Sequence, residues 1–211
     1  MYNDLIVERD PPQNRIGTCT DGPCEKHFPE AAVMLAYAMH IFATVPGTHT
    51  ITVCPDGEHA KKFEIAAWLT SHSFRREQPI GNTAYGGKYV REQETIRITP
   101  TSGIGDVIVD IDEHKIIAEC KGGIVNTRHP GQISKLRRGL CEAVGLLMAN
   151  SSVGRQVAVV PYTEVTLRLA HKMLPRISKA GIEIALIKRD GTVVELGVPP
   201  HPALSPLRGR G

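Results

Sequence analysis

Two apolar runs joined by a short polar link, "DVIVDI" at residues 106–111 and "KIIAECK" at 115–121, constrain this chain more than any other feature. β-Branched residues dominate both, and the link "DEH" leaves room only for a tight connection, so the pattern predicts an antiparallel hairpin. The runs are apolar because central strands are buried; they end in Asp106, Glu119 and Lys121, which burial alone does not explain. With the turn centred near residues 113 and 114, cross-strand partners sum to about 227, which places Asp106 opposite Lys121 and diagonal to Glu119. Glu119 and Lys121 project from one face and Cys120 from the other. Three charged groups therefore gather at the open end of one hairpin.

The flanking segments predict a mixed sheet with helices on both faces. "THTITVC" alternates as a strand closed by "PDG", and "EHAKKFEIAAWLTS" (about 58–71) has helical spacing, with Glu64 falling between Ala60, Ala67 and Trp68 in an apolar arc. Gly86-Gly87 marks a turn between two extended segments whose register the sequence does not reveal. "PGQISKLRRGLCEAVGLLMAN" is an amphipathic helix, "RQVAVVP" a buried strand, and "TEVTLRLAHKMLPRISKAG" a helix kinked or divided at Pro175 and stopped at Gly181. "IEIALIK", a turn at "RDGT" and "VVEL" form an edge hairpin. Strands grouped after one helix, then alternating helix and strand, place the chain in the α/β class. The organisation expected is an N-terminal arm and helix at 1–45, a core domain at 46–197 and a mobile Pro/Arg tail at 198–211.

Within the arm, Glu30 follows Pro29 at the positive end of a helix whose apolar residues cover nearly all sides, a sign of burial against the main domain or in a subunit interface. A homodimer, with this helix at residues 29–42 as a candidate interface, is left open. Cys19, Cys24 and His27 could form part of a zinc site, but a fourth ligand at suitable spacing is missing. Five scattered cysteines suit reduced thiols in a cytosol better than a disulfide framework. Acidic residues occupy the place of a signal-peptide core, and the longest apolar segment falls short of the roughly 20 residues that span a bilayer, so a soluble cytoplasmic protein without a membrane partner is expected. A formal net charge of +3 permits a nucleic-acid partner without demanding one.

Two close carboxylates repel unless a cation lies between them, and oxygen ligands suit Mg²⁺ or Mn²⁺ rather than zinc. Such an ion lowers the pKa of bound water and stabilises charge on a phosphoryl oxygen, while a neighbouring lysine orients water or neutralises phosphate. On these residues the chain resembles the PD-(D/E)XK nuclease superfamily, with its restriction-endonuclease-like fold: "GDVIVDI" is similar to the strand bearing the aspartate and "IIAECK" to the strand bearing Glu-x-Lys. The resemblance implies an αβββαβ core over about residues 56–161, Mg²⁺-dependent hydrolysis of DNA, Asp106, Glu119 and the Cys120 backbone carbonyl as metal ligands, and Lys121 as the catalytic lysine. It also matches Glu64 to the acid that many members carry on the first core helix, and Gln132 to a glutamine near the site in some members. The tyrosine that accompanies it in exonuclease-type members would fall at Leu136, so no subclass is assigned. Gly105, not proline, precedes Asp106.

Beside such a site Arg128, Lys135, Arg137 and Arg138 would contact phosphates and position DNA without reading its sequence. Taken alone, the same residues read as a solvated helix face, Asp106 as a turn residue, Glu119 and Lys121 as a strand end, and Glu64 as a surface ion pair. Asp110 and Asp112 are rival acids nearer the turn, and His59 and His129 flank the region. Three functions stay open: an endonuclease of restriction, defence or repair type, a nuclease resembling Holliday-junction resolvases, and an inactive nuclease-fold DNA-binding or assembly module.

Overall fold

The computed structural model describes residues 2, 4–57, 62–100, 103–111, 114–150 and 154–197. A nine-stranded mixed sheet is its centre, built from β3 (Thr50–Val53), β4 (Arg75–Pro79), β5 (Gly87–Arg91), β6 (Glu94–Ile98), β7 (Val107–Ile111), β8 (His114–Cys120), β10 (Arg155–Pro161), β11 (Ile182–Ile187) and β12 (Val193–Leu196). Their order across the sheet is β12-β11-β10-β8-β7-β3-β6-β5-β4. The short strands β1 (Val7–Arg9), β2 (Glu25–Phe28) and β9 (Gly123–Ile124) form a separate three-stranded sheet. Among the described residues four α-helices accompany the sheets: α1 (Glu30–Thr44), α2 (Ile65–Ser71), α3 (Pro130–Ala149) and α4 (Glu164–Ile177).

Alternation along the central strands divides the interior into two layers. Val107 and Val109 of β7, Ile116, Ala118 and Cys120 of β8, and Val157 and Val159 of β10 face α1 and α2. Ile117, Ala158 and Val160 point the other way, onto Leu140, Ala143, Val144 and Leu147 of α3 and Ala170 of α4. The expectation of central strands covered on both faces by helices is met at β8 and β10. Parallel pairing of β8 with β10 and of β10 with β11 requires crossovers, and α3 and α4 supply them.

The hairpin is present with a different register. Ile111 pairs with His114 and Val107 with Ala118, so the connection is two residues, not three, and the ladder continued by one position sets Asp106 across from Glu119. Lys121 lies beyond the strand, its N–H donating to the carbonyl of Val159 on β10 at 2.9 Å.

Two further expectations, on the N-terminal arm and on Pro175, are corrected, and of the two alternatives left open for α1 the first is seen. Residues 1–28, read as an irregular arm, contain β1 and β2, and β2 pairs with β9 immediately after the Glu-x-Lys segment. α1 is buried within the chain itself, with Ala31 to Ala38 almost wholly inaccessible, so its apolar girth fills the core and offers no face to a second copy. α4 runs unbroken through Pro175, which sits in its last turn, and the helical segment stops, as expected, at Gly181 in the left-handed conformation that glycine tolerates (φ 75°). The helix expected from residue 58 is seen from Ile65; residues 58–61, including His59, lie outside the described residues, as do Asp112 and the tail at 198–211.

Candidate active site

Asp106, Glu119 and Lys121 line one cavity of about 280 Å³ at the end of β8, together with Glu30, Cys54, Asp56 and Leu146. Backbone geometry holds Asp106 there. Its N–H donates to the carbonyl of Ala118 at 2.9 Å, its carbonyl accepts the N–H of Cys54 at 2.8 Å, and its carboxylate accepts the N–H of Cys120 at 2.8 Å. Gly105 lets the turn come this close, since a Cβ there would fall 2.7 Å from a methyl of Ile117. The aspartate is thus tied to the strand that carries Glu119.

Lys121 is reached from both helical layers. Its ammonium lies 3.4 Å from Glu30 at the start of α1 and 3.3 Å from Glu142 of α3. The short sheet makes the first contact inevitable: Phe28 pairs with Gly123 and His27 with Ile124, which brings Glu30 beside the end of β8. Gly122 is required at that crossing, because a Cβ would lie 2.4 Å from the carbonyl oxygen of Phe28 and 2.7 Å from the nitrogen of Glu30. On the other flank Gly139 of α3 sits against the stem of Lys121, with its would-be Cβ 3.2 Å away.

Electrostatics follow from this crowding. Burial first, then repulsion from Asp106, pushes the Glu119 carboxyl up to about 7. Burial likewise raises Glu30, against the lowering effects of Lys121 and of a hydrogen bond from the Gly122 amide. Burial would lower Lys121, yet the fields of Glu30, Asp106 and Glu142 outweigh it and hold the ammonium protonated above its usual range. Cys54, on the cavity wall, is pushed up to about 11 by burial and by Asp106, so it is an inert thiol at neutral pH.

The other site residues named from sequence lie elsewhere. Glu64 stands at the N-cap position of α2 without a side-chain capping bond and lines a separate cavity with Asp4, Phe63 and Trp68, whereas Glu30 lines the cavity of Asp106 and Glu119. Gln132 is buried in the first turn of α3 and does not line the cavity of the acids. Lys135 and Arg138 are exposed on α3, on the stripe that also carries Gly139, Glu142 and Leu146. Arg128 lines a different groove, and the imidazole of His129 caps α3 by accepting the N–H of Gly131. Asp110 pairs with Lys115 far from the cavity end of the hairpin. The Cys19, Cys24 and His27 grouping does not assemble as a zinc site: His27 contacts Glu25, and Cys24 faces Asp10.

Sequence reasoning missed Glu30, Glu142 and Asp56. The available signal for Glu30 was that a helix apolar on nearly every side begins with a single carboxylate, in a first turn otherwise buried. Among the described residues no three of the His, Cys, Asp and Glu side chains converge closely enough to hold a metal ion. The cavity instead presents Asp106 facing Glu119, and Glu30 tied to Lys121. No family model, curated protein or solved structure matches the chain. No helix among the described residues is long and apolar enough to cross a membrane.

Proposed function

We propose that this cavity is the active site of a Mg²⁺- or Mn²⁺-dependent nuclease that hydrolyses phosphodiester bonds of DNA, on a restriction-endonuclease-like core. The observation that carries the reading is the position of Asp106 directly across from Glu119, with Lys121 two residues on and Glu30 entering from the helix before the first central strand. The resemblance put its αβββαβ core at about residues 56–161, starting from the helix of Glu64; started from α1 instead, the order α1, β3, β7, β8, α3, β10 supports the reading, with α2, β4 to β6 and β9 as insertions. The core helix that supplies the extra acid is then α1, and its acid is Glu30 rather than Glu64.

The residues suit a hard divalent cation. Glu30, Asp56, Asp106 and Glu119 set four carboxylates against one lysine around a small cavity, and the Glu119 carboxyl is raised by burial first and by Asp106 second. Asp106 and Glu119 would hold the ion, an all-oxygen set appropriate to Mg²⁺ or Mn²⁺. Bound there, it would polarise a phosphoryl oxygen and acidify a water molecule. Lys121, kept cationic and restrained by Glu30 and Glu142, orients the attacking water and offsets charge gathering on the phosphate. Lys135 and Arg138, on the helix stripe that ends at the cavity, hold flanking phosphates.

Incubation with linear duplex, branched junction, single-stranded DNA and RNA, with Mg²⁺, Mn²⁺ or chelator, tests the reading. Divalent-dependent cleavage of at least one DNA substrate is expected. Absence of cleavage on every substrate, together with retained DNA binding, would favour the alternative of an inactive nuclease-fold binding module.

A further inference from the structure

A second groove, of about 780 Å³, opens where β10 and β11 end, at the same edge of the sheet as the end of β8 that carries Glu119 and Lys121. Neighbouring strands are about 4.8 Å apart, so β11 stands roughly 10 Å from β8. Tyr162 and Lys188 leave β10 and β11 at the same level, the N–H of Tyr162 donating to the carbonyl of Ile187. The ammonium of Lys188 lies 5.7 Å from the centre of the Tyr162 ring. Arg128, exposed on the segment that leads into α3, also lines the groove.

Two carboxylates, Glu164 and Asp190, share the groove with these cations. Asp190 is engaged by the Thr192 amide within its own turn, and Glu164 is exposed at the start of α4. Arg189 is paired with Asp21 and donates to the carbonyl of Val125, so it braces the groove wall. Arg128 and Lys188 are exposed cations that line the groove together with the half-buried ring of Tyr162. Exposed cations beside an aromatic face are the parts by which proteins hold unpaired nucleic acid strands. Its volume matches a nucleotide-sized ligand and is far too small for a duplex.

We propose that this groove binds a single-stranded segment of the nucleic acid substrate, next to the bond that is cut, with its phosphates on Arg128 and Lys188 and a base on Tyr162. The inference rests on the nuclease reading and narrows its substrate to DNA that carries an unpaired arm.

Binding is measured by fluorescence anisotropy in chelator, with a blunt duplex and with the same duplex bearing an unpaired arm, and cleavage of both is followed separately with Mg²⁺. The wild-type protein is expected to prefer the armed duplex by about tenfold. Tyr162→Leu, which keeps an apolar side chain in place, should lose most of that preference, and Tyr162→Phe should retain it. Arg128→Ala combined with Lys188→Ala should flatten the dependence of log K on log salt by about 1.4, two single-strand phosphate contacts at roughly 0.7 each. Equal binding of blunt and armed duplexes by the wild type, or an unchanged salt slope in the double variant, would overturn the proposal. Failure of the nuclease reading looks different: the preference for the armed duplex persists, but neither substrate is cut.

Discussion

The ammonium of Lys121 lies 3.4 Å from the carboxylate of Glu30, a contact between residues 91 positions apart. It joins the end of the central strand β8 to the first turn of α1, and it decides which acid belongs to the candidate site.

Replacing Glu30 by Gln removes one of the charges that restrain Lys121, whereas Glu64 borders another cavity. Steady-state cleavage assays should show kcat/KM lower by roughly tenfold or more in Glu30→Gln, about 1.4 kcal/mol of transition-state stabilisation. Glu64→Gln should stay within about twofold of wild type. A larger loss in Glu64→Gln than in Glu30→Gln would return the role to α2.

Gly122→Ala should destabilise the fold by about 1–3 kcal/mol, because its Cβ would meet backbone atoms of Phe28 and Glu30 that cannot move aside as a side chain could. Gly145, exposed in the interior of α3 with open space around it, is the control. Gly145→Ala should gain about 0.5–1 kcal/mol from helix propensity. Urea denaturation of both variants measures the contrast.

Glu195 of β12 gives stability a defined acid limb. Its hydrogen bond with His40, then the neighbouring Arg155, hold its carboxyl down to about 2 from the ordinary 4.5 despite burial. A depressed folded-state pKa contributes stability fully above the unfolded value and loses it as pH falls, here between about 4.5 and 2. The amount is on the order of 3 kcal/mol at most for a side chain this protected from solvent. Glu195→Gln should be less stable than wild type at pH 6 and show a flatter loss on acidification through that window, as read from thermal melts.

Much of the sheet was legible in the residues themselves. Continuous apolar, β-branched runs marked β7, β8, β10 and β11, and helical spacing marked α3 and α4, because the strands are buried and each helix buries a regular face. The register of the hairpin was not, since His114 reads as a turn residue by polarity while the backbone pairs it with Ile111. β1 and β2 gave almost no pattern: strands of three and four residues bury too little to show a period, and what fixes them is the pairing of β2 with β9 nearly a hundred residues away and of β1 with β2. Glu30 was hidden for the same reason. Its helix is apolar all round, so nothing local says which end meets the hairpin, whereas Glu64 stood out as a carboxylate in an apolar arc and attracted the assignment.

Lys121→Ala is the most direct test of the account. Cleavage of DNA by the wild type in Mg²⁺, followed on the substrate it cuts best, is expected to fall by at least a hundredfold in this variant, with DNA binding and thermal stability close to wild type. Undiminished Mg²⁺-dependent cleavage by Lys121→Ala would contradict the assignment of this cavity as the active site.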